Sequence, residues 1–405
     1  MRVLLIHQGF CTPNEPGSTR HFELCRYLVK KGHKVVVIGG MANPLTMEAP
    51  RWCRRKFLFK ENVEGVEILR AFTISKPKQS FIKRIISYLS FMISSITVSF
   101  RLSSVDLVIA CSPQIFTGIS GYVVSRVKKI PFIFEIRDLW PDFAIEEGIL
   151  RGRFKIQIAK CIEKFIYKKA HYFIINSPGY FSHLAKFGID KKRIIFVPNG
   201  VDTDIFKPGK KNSHIRKQLR LDGKFVVLYA GAHGQANNLK TVIEAAKLIK
   251  NNKDIVFLLV GDGKEKRDLI NLSRYYSLEN VIFLDPQPRE RMPEICAASD
   301  VCLAILKKNY KTTYPNKIFD YMASGRAIIL AIDGVARKVI EKANAGVFVE
   351  PENPKALKTA ILNLYHHREL LGEYGVNARK YVVKYFDRQK IAEHFHQALT
   401  KIIRQ

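Results

Sequence analysis

The sequence of 405 residues is longer than one ordinary domain and has room for two domains of about 150–200 residues each. Hydrophobic residues make up 47% and charged residues 25% of the chain, which is close to globular averages and excludes a wholly disordered protein. Lysine and arginine number 67 against 36 aspartates and glutamates, and this net charge of +31 is spread over both halves of the chain. The surplus predicts an anionic partner: nucleic acid, a phosphorylated small molecule or an acidic membrane surface.

Seven cysteines are scattered along the chain, and none forms a CxxC pair. This spacing supports neither a zinc ribbon nor a disulfide framework, so we expect reduced thiols and no structural metal. Residues 3–6 form a short apolar run, without the long apolar core and small-residue cleavage site of a signal peptide. These features predict a cytoplasmic protein.

Short apolar runs alternate with helical patterns in the first half of the chain. A helix is expected to begin near Ser18 or Thr19 and to end at Gly32. Strands are predicted at residues 3–6, 35–38, 106–110, 131–135, 172–176 and 194–197, with further helices at 118–127 and 155–169. Continuous apolar strands that alternate with helices predict a parallel sheet covered on both faces.

The same alternation resumes after residues 207–222, which are rich in lysine and arginine and are predicted to be a linker. Strands are predicted at residues 225–229, 255–260, 281–284, 301–304 and 327–331, with helices at 239–249, 268–276, 292–298 and 317–323. The chain is therefore predicted to be an α/β protein of two doubly wound domains joined end to end.

Residues 81–101 contain an apolar segment between basic residues. Sixteen uncharged residues lie between Arg84 and Arg101, and they include five serines and one threonine. A membrane span needs about 20 apolar residues, so this run is short and polar for one. The flanking Lys83, Arg84 and Arg101 instead suit a helix that lies on an anionic lipid surface. A buried helix packed on the sheet and a true span are the alternatives.

Glycine-rich loops follow the first strand of each predicted domain. Gly17 and Ser18 precede the first helix, where a glycine lets the backbone approach a phosphate and the helix N-terminus supplies N–H groups. A plain N-cap at this position is the alternative. Gly231 and Gly234 follow the first strand of the second domain, where their backbone donors could hold a diphosphate. His233, between them, is interpreted as an ordinary loop residue rather than a catalyst.

A further loop with Gly261, Gly263 and Lys264 follows the second strand of the second domain. It lacks the third glycine of the dinucleotide-binding fingerprint, but its two glycines still allow a charged ligand to approach the backbone. Lys264 is placed to contact a phosphate. A tight turn with solvated lysines is the alternative.

The segment 312–323 is the most distinctive of the second domain. Asn316, Lys317 and Asp320 begin a predicted helix, and Asn316 and Asp320 share one of its faces. Asparagine and lysine at a helix start can meet an anionic group, and a carboxylate one turn later can accept hydrogen bonds from two neighbouring ribose hydroxyls. A wholly structural role is the alternative.

Charged residues also follow the predicted strand at 131–135. Glu135, Arg137 and Asp138 lie at its carboxyl end, the place where open α/β sheets carry active-site groups. A carboxylate there can act as a base, and Arg137 can stabilise developing charge. An ion pair between Arg137 and a neighbouring acid is the alternative.

Together and in this order, these segments resemble the family-four retaining glycosyltransferases of the GT-B fold. The resemblance covers nearly the whole chain and rests on GSTRHFELCRYLVKKGHKVVVIGG (17–40), EIRDLWPD (135–142), VPNGVD (197–202), YAGAHGQANNL (229–239), VGDGKEKRDLI (260–270), NVIFLDPQPRERMPEICAASDVCL (280–303) and YPNKIFDYMASGRAIIL (314–330). Within the family, the chain is similar to the bacterial surface-polysaccharide branch that includes fucosamine transferases of O-antigen synthesis.

The resemblance implies two Rossmann-like domains that face each other across a deep cleft, with a C-terminal helix, about residues 385–405, returning to the N-terminal domain. It implies an acceptor domain at 1–206 and a donor domain at 207–384. It also implies a nucleotide-diphosphate sugar donor, in particular a UDP-sugar, bound without a metal or any cofactor. Asp320 matches the family's carboxylate that binds the ribose hydroxyls, and Gly17 matches its phosphate-proximal glycine.

The chain departs from the family pattern at three places. The family's pair of glutamates falls at Thr312 and Asp320, so the first carboxylate is lost. The family's histidine after the strand at 131–135 is replaced by residues 135–138. The arginine and lysine that flank the diphosphate are absent from the loop at 232–238. A basic residue of another segment is expected to take their place: Lys264, Arg267 or Lys317.

The predicted function is transfer of a sugar, such as an N-acetylated amino sugar, to a polyprenyl-diphosphate-linked saccharide at the inner face of the cytoplasmic membrane. Glu135, Arg137 and Asp138 are the predicted catalytic residues. A degenerate sugar-nucleotide binder without activity is the alternative suggested by Thr312. Nucleic-acid binding is not predicted, because the charge is dispersed and no recognition motif appears. The incomplete glycine fingerprint disfavours a nicotinamide-dependent oxidoreductase.

Overall fold

The chain divides into two units, each with its own sheet. The computed structural model describes residues 1–15, 17–43, 53, 56–74, 81–210 and 214–405, apart from the side chains of residues 81 and 82. Unit 1 consists of Met1–Val197 and Ile391–Gln405, and unit 2 of Pro198–Lys390. The chain thus leaves unit 1 once and returns to it at its C-terminal segment.

Unit 1 is built on an eight-stranded sheet. Its strands are β1 (Arg2–His7), β2 (Lys34–Gly40), β3 (Leu58–Val63), β4 (Val66–Ala71), β5 (Leu107–Cys111), β6 (Phe132–Ile136), β7 (Tyr172–Ile175) and β8 (Ile194–Phe196). Their spatial order is β3-β4-β2-β1-β5-β6-β7-β8, and every described pairing except β3 with β4 is parallel. The predicted parallel, doubly wound arrangement is confirmed. The direction of winding reverses between β1 and β5, where such sheets form their binding crevice.

An edge hairpin adds to the predicted arrangement. Strand β3 alternates partly buried and exposed residues because an edge strand is solvated on one side. Glu64 and Gly65, with φ values of 50° and 82°, form the two-residue turn into β4. The hairpin therefore extends the parallel sheet with one antiparallel strand.

Helices cover both faces of this sheet. They are α1 (Arg20–Lys30), α2 (Phe81–Phe100), α3 (Phe116–Lys128), α4 (Asp142–Glu146), α5 (Arg153–Lys169) and α6 (Tyr180–Lys186). Alternate residues of β1 enter two cores: Leu4 and Ile6 pack with residues of α2, α3 and α5, whereas Val3 and Leu5 pack with residues of α1. The central strands are largely apolar because both of their faces are buried.

The predicted membrane-facing segment forms α2. Its buried residues include four serines, Ser87, Ser94, Ser95 and Ser99, whereas its exposed residues include Ile86, Ile93 and Phe100 at intervals of seven. Hydroxyls of the buried serines bond within the helix or to neighbouring segments; for example, Ser94 donates to the carbonyl of Phe72 at 2.7 Å. The inward side of the helix thus combines these serines with the core residues Phe91 and Val98, whereas Ile86, Ile93 and Phe100 are exposed. Among the described residues, no helix has both the length and the hydropathy that crossing a bilayer requires.

Unit 2 is a six-stranded parallel sheet with helices on both faces. Its strands are β9 (Phe225–Ala230), β10 (Ile255–Val260), β11 (Val281–Leu284), β12 (Val301–Ile305), β13 (Ala327–Ala331) and β14 (Gly346–Phe348), in the order β11-β10-β9-β12-β13-β14. Its helices are α7 (His214–Gln218), α8 (Lys240–Ile249), α9 (Lys266–Tyr275), α10 (Met292–Ala298), α11 (Asn316–Ala323), α12 (Val335–Ala343), α13 (Pro354–His366) and α14 (Glu369–Tyr385). The winding reverses between β9 and β12. Residues 211–213 of the predicted linker lie outside the described residues. The next residues of the linker form α7.

The last helix, α15 (Arg388–Arg404), belongs mostly to unit 1. Its buried residues Ile391, Phe395 and Leu399 pack in the same core as Val3 and Leu5 of β1. The spacing of four residues places them on one face of the helix. The return of a C-terminal helix to the first unit, implied by the resemblance, is confirmed.

Candidate active site

In unit 2, the loops that follow β9 and β10 lie against each other. Gly261 and Gly263 have φ values of 142° and 159°, a region that favours glycine. A Cβ on Gly261 would collide with the carbonyl of Gly231, and one on Gly263 with the backbone of His233. These glycines therefore allow the two loops to touch. Gly234 lies in the first loop with an extended backbone.

The side chain of Lys317, from the first turn of α11, lies beside the first of these loops. Its Nζ is 3.9 Å from the ring centre of Tyr229 and 3.3 Å from Oδ1 of Asn237. A Cβ on Gly231 would lie 2.9 Å from the same amine, so glycine leaves room for it. Burial lowers the pKa of Lys317 to about 7. An approaching anion would favour its charged form.

His233 is a residue that the sequence analysis did not select. It is fully buried, and neither ring nitrogen has a hydrogen-bond partner among the described residues. Burial, assisted by Lys266, lowers its pKa to about 4, so the ring is neutral near pH 7. Buried ring nitrogens normally have partners, and a lone loop histidine carries no sequence signal for this environment.

The remaining predicted donor residues lie on α11 and on the loop after β10. Asn316 is exposed at the start of α11, and Asp320 follows one turn later on the same face, partly buried. Nη2 of Arg289 lies 4.0 Å from Oδ1 of Asp320. Lys264 is exposed on its loop. Gly231, Gly261, Gly263 and Lys317 thus come together, while Asn316, Asp320 and Lys264 remain accessible on neighbouring segments.

In unit 1, Glu135 is the penultimate residue of β6 and is buried among polar side chains. Arg20 forms an ion pair with its Oε1, and Nε2 of His21 lies 2.7 Å from its Oε2. The Cys111 thiol donates to the same oxygen at 3.0 Å. Burial alone would raise the pKa of Glu135, but His21 and Arg20 hold it well below its usual range. Burial lowers the pKa of His21 to about 4, so a neutral ring donates to the carboxylate.

Ligand atoms of His21, Cys111 and Glu135 lie within 4.8 Å of one another, and among the described residues they are the group that could hold a metal ion. Burial raises the pKa of Cys111 well above its usual value, so it is a thiol rather than the thiolate a metal prefers. The guanidinium of Arg20 already contacts Glu135. The side chains instead form a buried ion-pair cluster, in which Nε of Arg20 and Nδ1 of His21 have no hydrogen-bond partner among the described residues.

Arg137 and Asp138 follow Glu135 and are less buried. The backbone N–H of Arg137 donates to Ser112 Oγ at 2.8 Å, and its guanidinium lies 3.1 Å from Nε2 of His7, at the end of β1. Burial raises the pKa of Asp138, and Arg137 opposes this shift. The guanidinium of Arg137 bonds to His7, and the cation that pairs with Glu135 is Arg20.

Gly17 and Ser18 are exposed immediately before α1. The N-cap position is Thr19, whose hydroxyl bonds to Glu23 Oε1 at 2.6 Å and does not cap the helix. The first N–H groups of α1 therefore have no side-chain cap within the described part of unit 1. They remain available to a ligand at Gly17 and Ser18.

Two family models match the chain, one over most of unit 1 and one within unit 2. Residues 17–205 match Glycosyltransferase Family 4, and residues 210–381 match Glycosyl transferases group 1. Together the two matches cover most of the chain.

Two named proteins match most of the chain at low sequence identity. WcaI of Escherichia coli K12, named as a glycosyl transferase of colanic acid biosynthesis, is 24% identical over 390 residues, which cover 92% of this chain and 93% of WcaI. A Campylobacter jejuni protein named N,N'-diacetylbacillosaminyl-diphospho-undecaprenol alpha-1,3-N-acetylgalactosaminyltransferase is 22% identical, over 70% of this chain and 74% of its own.

The solved structure of HepE of Anabaena in complex with UDP is similar in fold. Its TM-score is 0.75 at 16% sequence identity, and the match covers 99% of this chain and 100% of HepE. With a family 4 domain in unit 1, a group 1 domain in unit 2 and the GT-B fold, the chain belongs to the glycosyltransferases.

Proposed function

We propose that the chain transfers a sugar from a UDP-linked donor to a hydroxyl of a lipid-linked saccharide in bacterial surface-polysaccharide biosynthesis, with retention at the anomeric carbon. The cluster of Gly231, Gly261, Gly263 and Lys317 is the observation that carries the donor site. The UDP bound to HepE and the undecaprenyl-diphosphate acceptor in the name of the Campylobacter relative support the two substrate classes.

Main-chain donors and one buried amine supply the chemistry for the diphosphate. The N–H groups of Gly231, His233, Gly261 and Gly263 are bonded within the protein. The other main-chain N–H groups of these two loops bind the diphosphate, and Lys317 adds a cation that charges when the anion arrives. Lys264 and Asn316 add donors from neighbouring segments. Asp320 accepts hydrogen bonds from the ribose hydroxyls.

A UDP titration tests the donor site. We expect Lys317→Met and Asp320→Asn each to weaken UDP binding by about tenfold or more, the loss of one charge-assisted contact. Lys342→Met, which removes an exposed lysine of the same unit, serves as the matched control and should bind UDP like the wild type. Equal affinities for all four proteins would contradict the donor site.

Unit 1 supplies the groups that act during transfer. Gly17, Ser18 and the uncapped first turn of α1 offer main-chain donors to an anion, and the Asp138 carboxylate can stabilise positive charge that develops in the transition state. Arg137 orients the backbone at this point through His7 and Ser112. Glu135, buried by Arg20 and His21, positions the first turn of α1 rather than touching substrate.

Turnover of Asp138→Asn tests this assignment. We expect the rate to fall about 10²–10³-fold, while UDP affinity changes little, because the carboxylate acts on charge that develops only in the transition state. The isosteric amide keeps the volume of the side chain. Unchanged turnover would remove Asp138 from the reaction.

The proposed reaction proceeds without a metal, and the leaving phosphate deprotonates the acceptor hydroxyl on the same face of the sugar. Turnover should persist in excess EDTA. Complete loss of activity in EDTA, restored by one divalent cation, would show that a metal ion rather than Lys317 neutralises the diphosphate.

The donor sugar is proposed to be an N-acetylated amino sugar. A set of UDP-sugars, compared by the rise in melting temperature they produce, should rank acetamido sugars above the corresponding hexoses, since a ligand that binds the native state more tightly stabilises it more. UDP binding without turnover on any acceptor would favour the degenerate binder that Thr312 suggests.

We also propose that α2 lies on the inner face of the cytoplasmic membrane. Ile86, Ile93 and Phe100 expose apolar surface between Arg84 and Arg101, an arrangement typical of interfacial helices. Ile93→Ser, at the most exposed of these positions, should reduce recovery of the protein with vesicles. Undiminished recovery would contradict the contact.

A further inference from the structure

Helix α5 exposes apolar side chains along one side. Phe154 is 78% exposed, Ile158 46% and Phe165 40%, and their spacings of four and seven residues place them on one side of the helix. Ile119 of α3 and Cys161 of α5 complete a groove between the two helices, and this lining is almost entirely apolar. Exposed aromatic and aliphatic side chains in such a row are a feature of interaction surfaces.

The charge on the exposed side of α5 is wholly basic. The helix carries six cationic residues: Arg153, Lys155, Lys160, Lys164, Lys168 and Lys169. Its single acid, Glu163, is buried and lies 3.0 Å from Nε2 of His183. The groove is therefore bordered by positive charge that no acid of the same helix offsets at the surface.

A cavity of about 580 Å³ follows the groove at the C-terminal ends of α3 and α5. The residues that line it include four cations, Arg126, Lys168, Lys169 and Arg193, and no carboxylate. Arg193 is fixed in place, because its Nε donates to the carbonyl of His171 at 2.9 Å and its guanidinium lies over Phe173. The cavity thus offers a cationic pocket with one prepositioned guanidinium.

The groove and the cavity are adjacent. Tyr122 lines the cavity, Phe165 lines the groove, and their ring centroids are 5.1 Å apart in an edge-to-face contact. Successive turns of α3 and α5 therefore present first an apolar strip and then a cluster of cations. An acidic phospholipid has the same two parts, acyl chains and an anionic phosphate, side by side.

We propose that the α3–α5 face binds an acidic phospholipid of a bilayer, with the headgroup phosphate in the cationic cavity and Phe154, Ile158 and Phe165 among the acyl chains. The lipid is neither the sugar donor nor the acceptor, and it binds helices other than α2, so the site goes beyond the proposed function. Interfacial burial of apolar side chains and attraction of lysines to anionic lipid act together at such a surface.

Two other occupants fit the observations less well. A second copy of the chain would bring two basic surfaces together, which repel each other. A nucleic acid would meet the cations, but its backbone would leave the apolar groove unsatisfied. Both occupants become outcomes of the experiment.

Vesicle flotation of the full chain tests the proposal. The probes are phosphatidylcholine vesicles and vesicles of phosphatidylcholine mixed with phosphatidylglycerol. We expect binding to the mixed vesicles only, weakened about 30-fold by the pair Arg126→Ser and Lys168→Ser, since two cations near the surface are lost. The pair Phe154→Ser and Ile158→Ser should weaken it at least about tenfold. Lys342→Ser with Lys355→Ser, a charge-matched pair in unit 2, should leave it unchanged.

Several results would overturn the proposal. They are equal binding to both vesicle types, unaltered binding of the cavity pair, release by inorganic phosphate at constant ionic strength, a dimer that Phe154→Ser with Ile158→Ser converts to monomer, and RNA competing with the vesicles. UDP titration of the same variants separates this test from that of sugar transfer. All four altered side chains are exposed, so each variant should bind UDP like the wild type.

Discussion

The amine of Lys317 lies at the surface of the ring of Tyr229, and its hydrogen-bond acceptor is the neutral amide oxygen of Asn237. Water is largely excluded there, so the charged form is disfavoured and the pKa falls to about 7. In the proposed donor complex, a diphosphate beside the amine supplies the missing negative charge. We therefore expect Lys317 to couple donor binding to proton uptake.

This coupling gives a pH-dependent prediction. Above pH 7 the free protein holds Lys317 mostly neutral, and bound UDP raises its pKa, so binding must take up a proton. Calorimetric titration at pH 8.5 in buffers of different ionisation enthalpy should show uptake approaching one proton, falling towards zero at pH 6. Lys317→Met should abolish the uptake at pH 8.5, and Lys342→Met should keep it. The same uptake in Lys317→Met would place the titrating group elsewhere.

Glu135 illustrates a different use of a carboxylate at a strand end. It is 2% exposed, and its carboxylate contacts Arg20, His21 and Cys111. Removing the negative charge therefore leaves a buried guanidinium without a counter-charge. Breaking a buried pair in this way costs about 3–5 kcal/mol. We therefore expect Glu135→Gln to destabilise unit 1 by that amount at pH 7.

Fluorescence-detected urea unfolding measures this effect, because both tryptophans, Trp52 and Trp140, lie in the segment Met1–Val197. The pKa of Glu135 is depressed in the folded state, so its contribution is present above pH 4.5 and is lost as the pH falls below that value. The difference in unfolding free energy between wild type and Glu135→Gln should therefore narrow as the pH falls below 4.5. Glu352→Gln, at an exposed position, is the control. If the difference in unfolding free energy between the two proteins did not change with pH, Glu135 would not be ionised in the folded state.

The environments of single residues were the least predictable part of the site. The glycines at 231, 261 and 263 could be selected from sequence, because a glycine directly after a buried strand indicates a loop backbone that other residues rarely adopt. The contact of Lys317 with Gly231 and Tyr229 joins positions nearly ninety residues apart and leaves no local pattern. The burial of His233 likewise depends on a loop that follows another strand.

At the level of elements, the buried strands were predictable and the edge was not. Strands β5, β9 and β10 are apolar from end to end, and β1 and β6 contain the apolar runs 3–6 and 132–134, because helices cover both faces. Such runs are visible in the sequence. Strand β3 alternates polar and apolar residues and carries no comparable run. A turn of Glu64 and Gly65 was the signal that could have identified the hairpin.

Helix α15 is the element whose contribution to stability is easiest to measure. Phe395 is 6% exposed in the core that contains β1, so Phe395→Ala should destabilise unit 1 by about 3–5 kcal/mol, through lost burial and the cavity left behind. Ile403→Ala, at an exposed position of the same helix, should change stability by less than about 1 kcal/mol. Tryptophan fluorescence during urea unfolding checks both. Equal effects would show that the helix is not packed as described.

At the scale of the whole molecule, the two units differ in completeness. The core of unit 2 is drawn from residues within Pro198–Lys390, whereas the core around β1 needs side chains of Ile391–Gln405. Unit 2 should therefore fold when expressed alone, and residues 1–197 should not reach full stability without α15.

Expression of the separate units checks this prediction. We expect residues 198–390 to unfold cooperatively on heating and to bind UDP. We expect residues 1–197 to bind a dye specific for exposed apolar surface, and this binding should fall when a peptide of residues 388–405 is added. A stable, dye-free fragment 1–197 would show that α15 is dispensable.

The position of α15 in the sequence also bears on synthesis. During translation, β1 emerges from the ribosome before any of unit 2, yet the side chains of Ile391, Phe395 and Leu399 that cover it are made after Lys390. Folding of unit 1 therefore cannot be completed until unit 2 has been synthesised, and Val3 and Leu5 stay incompletely covered until then. Chaperones that bind apolar strands have their longest opportunity on this chain during that interval.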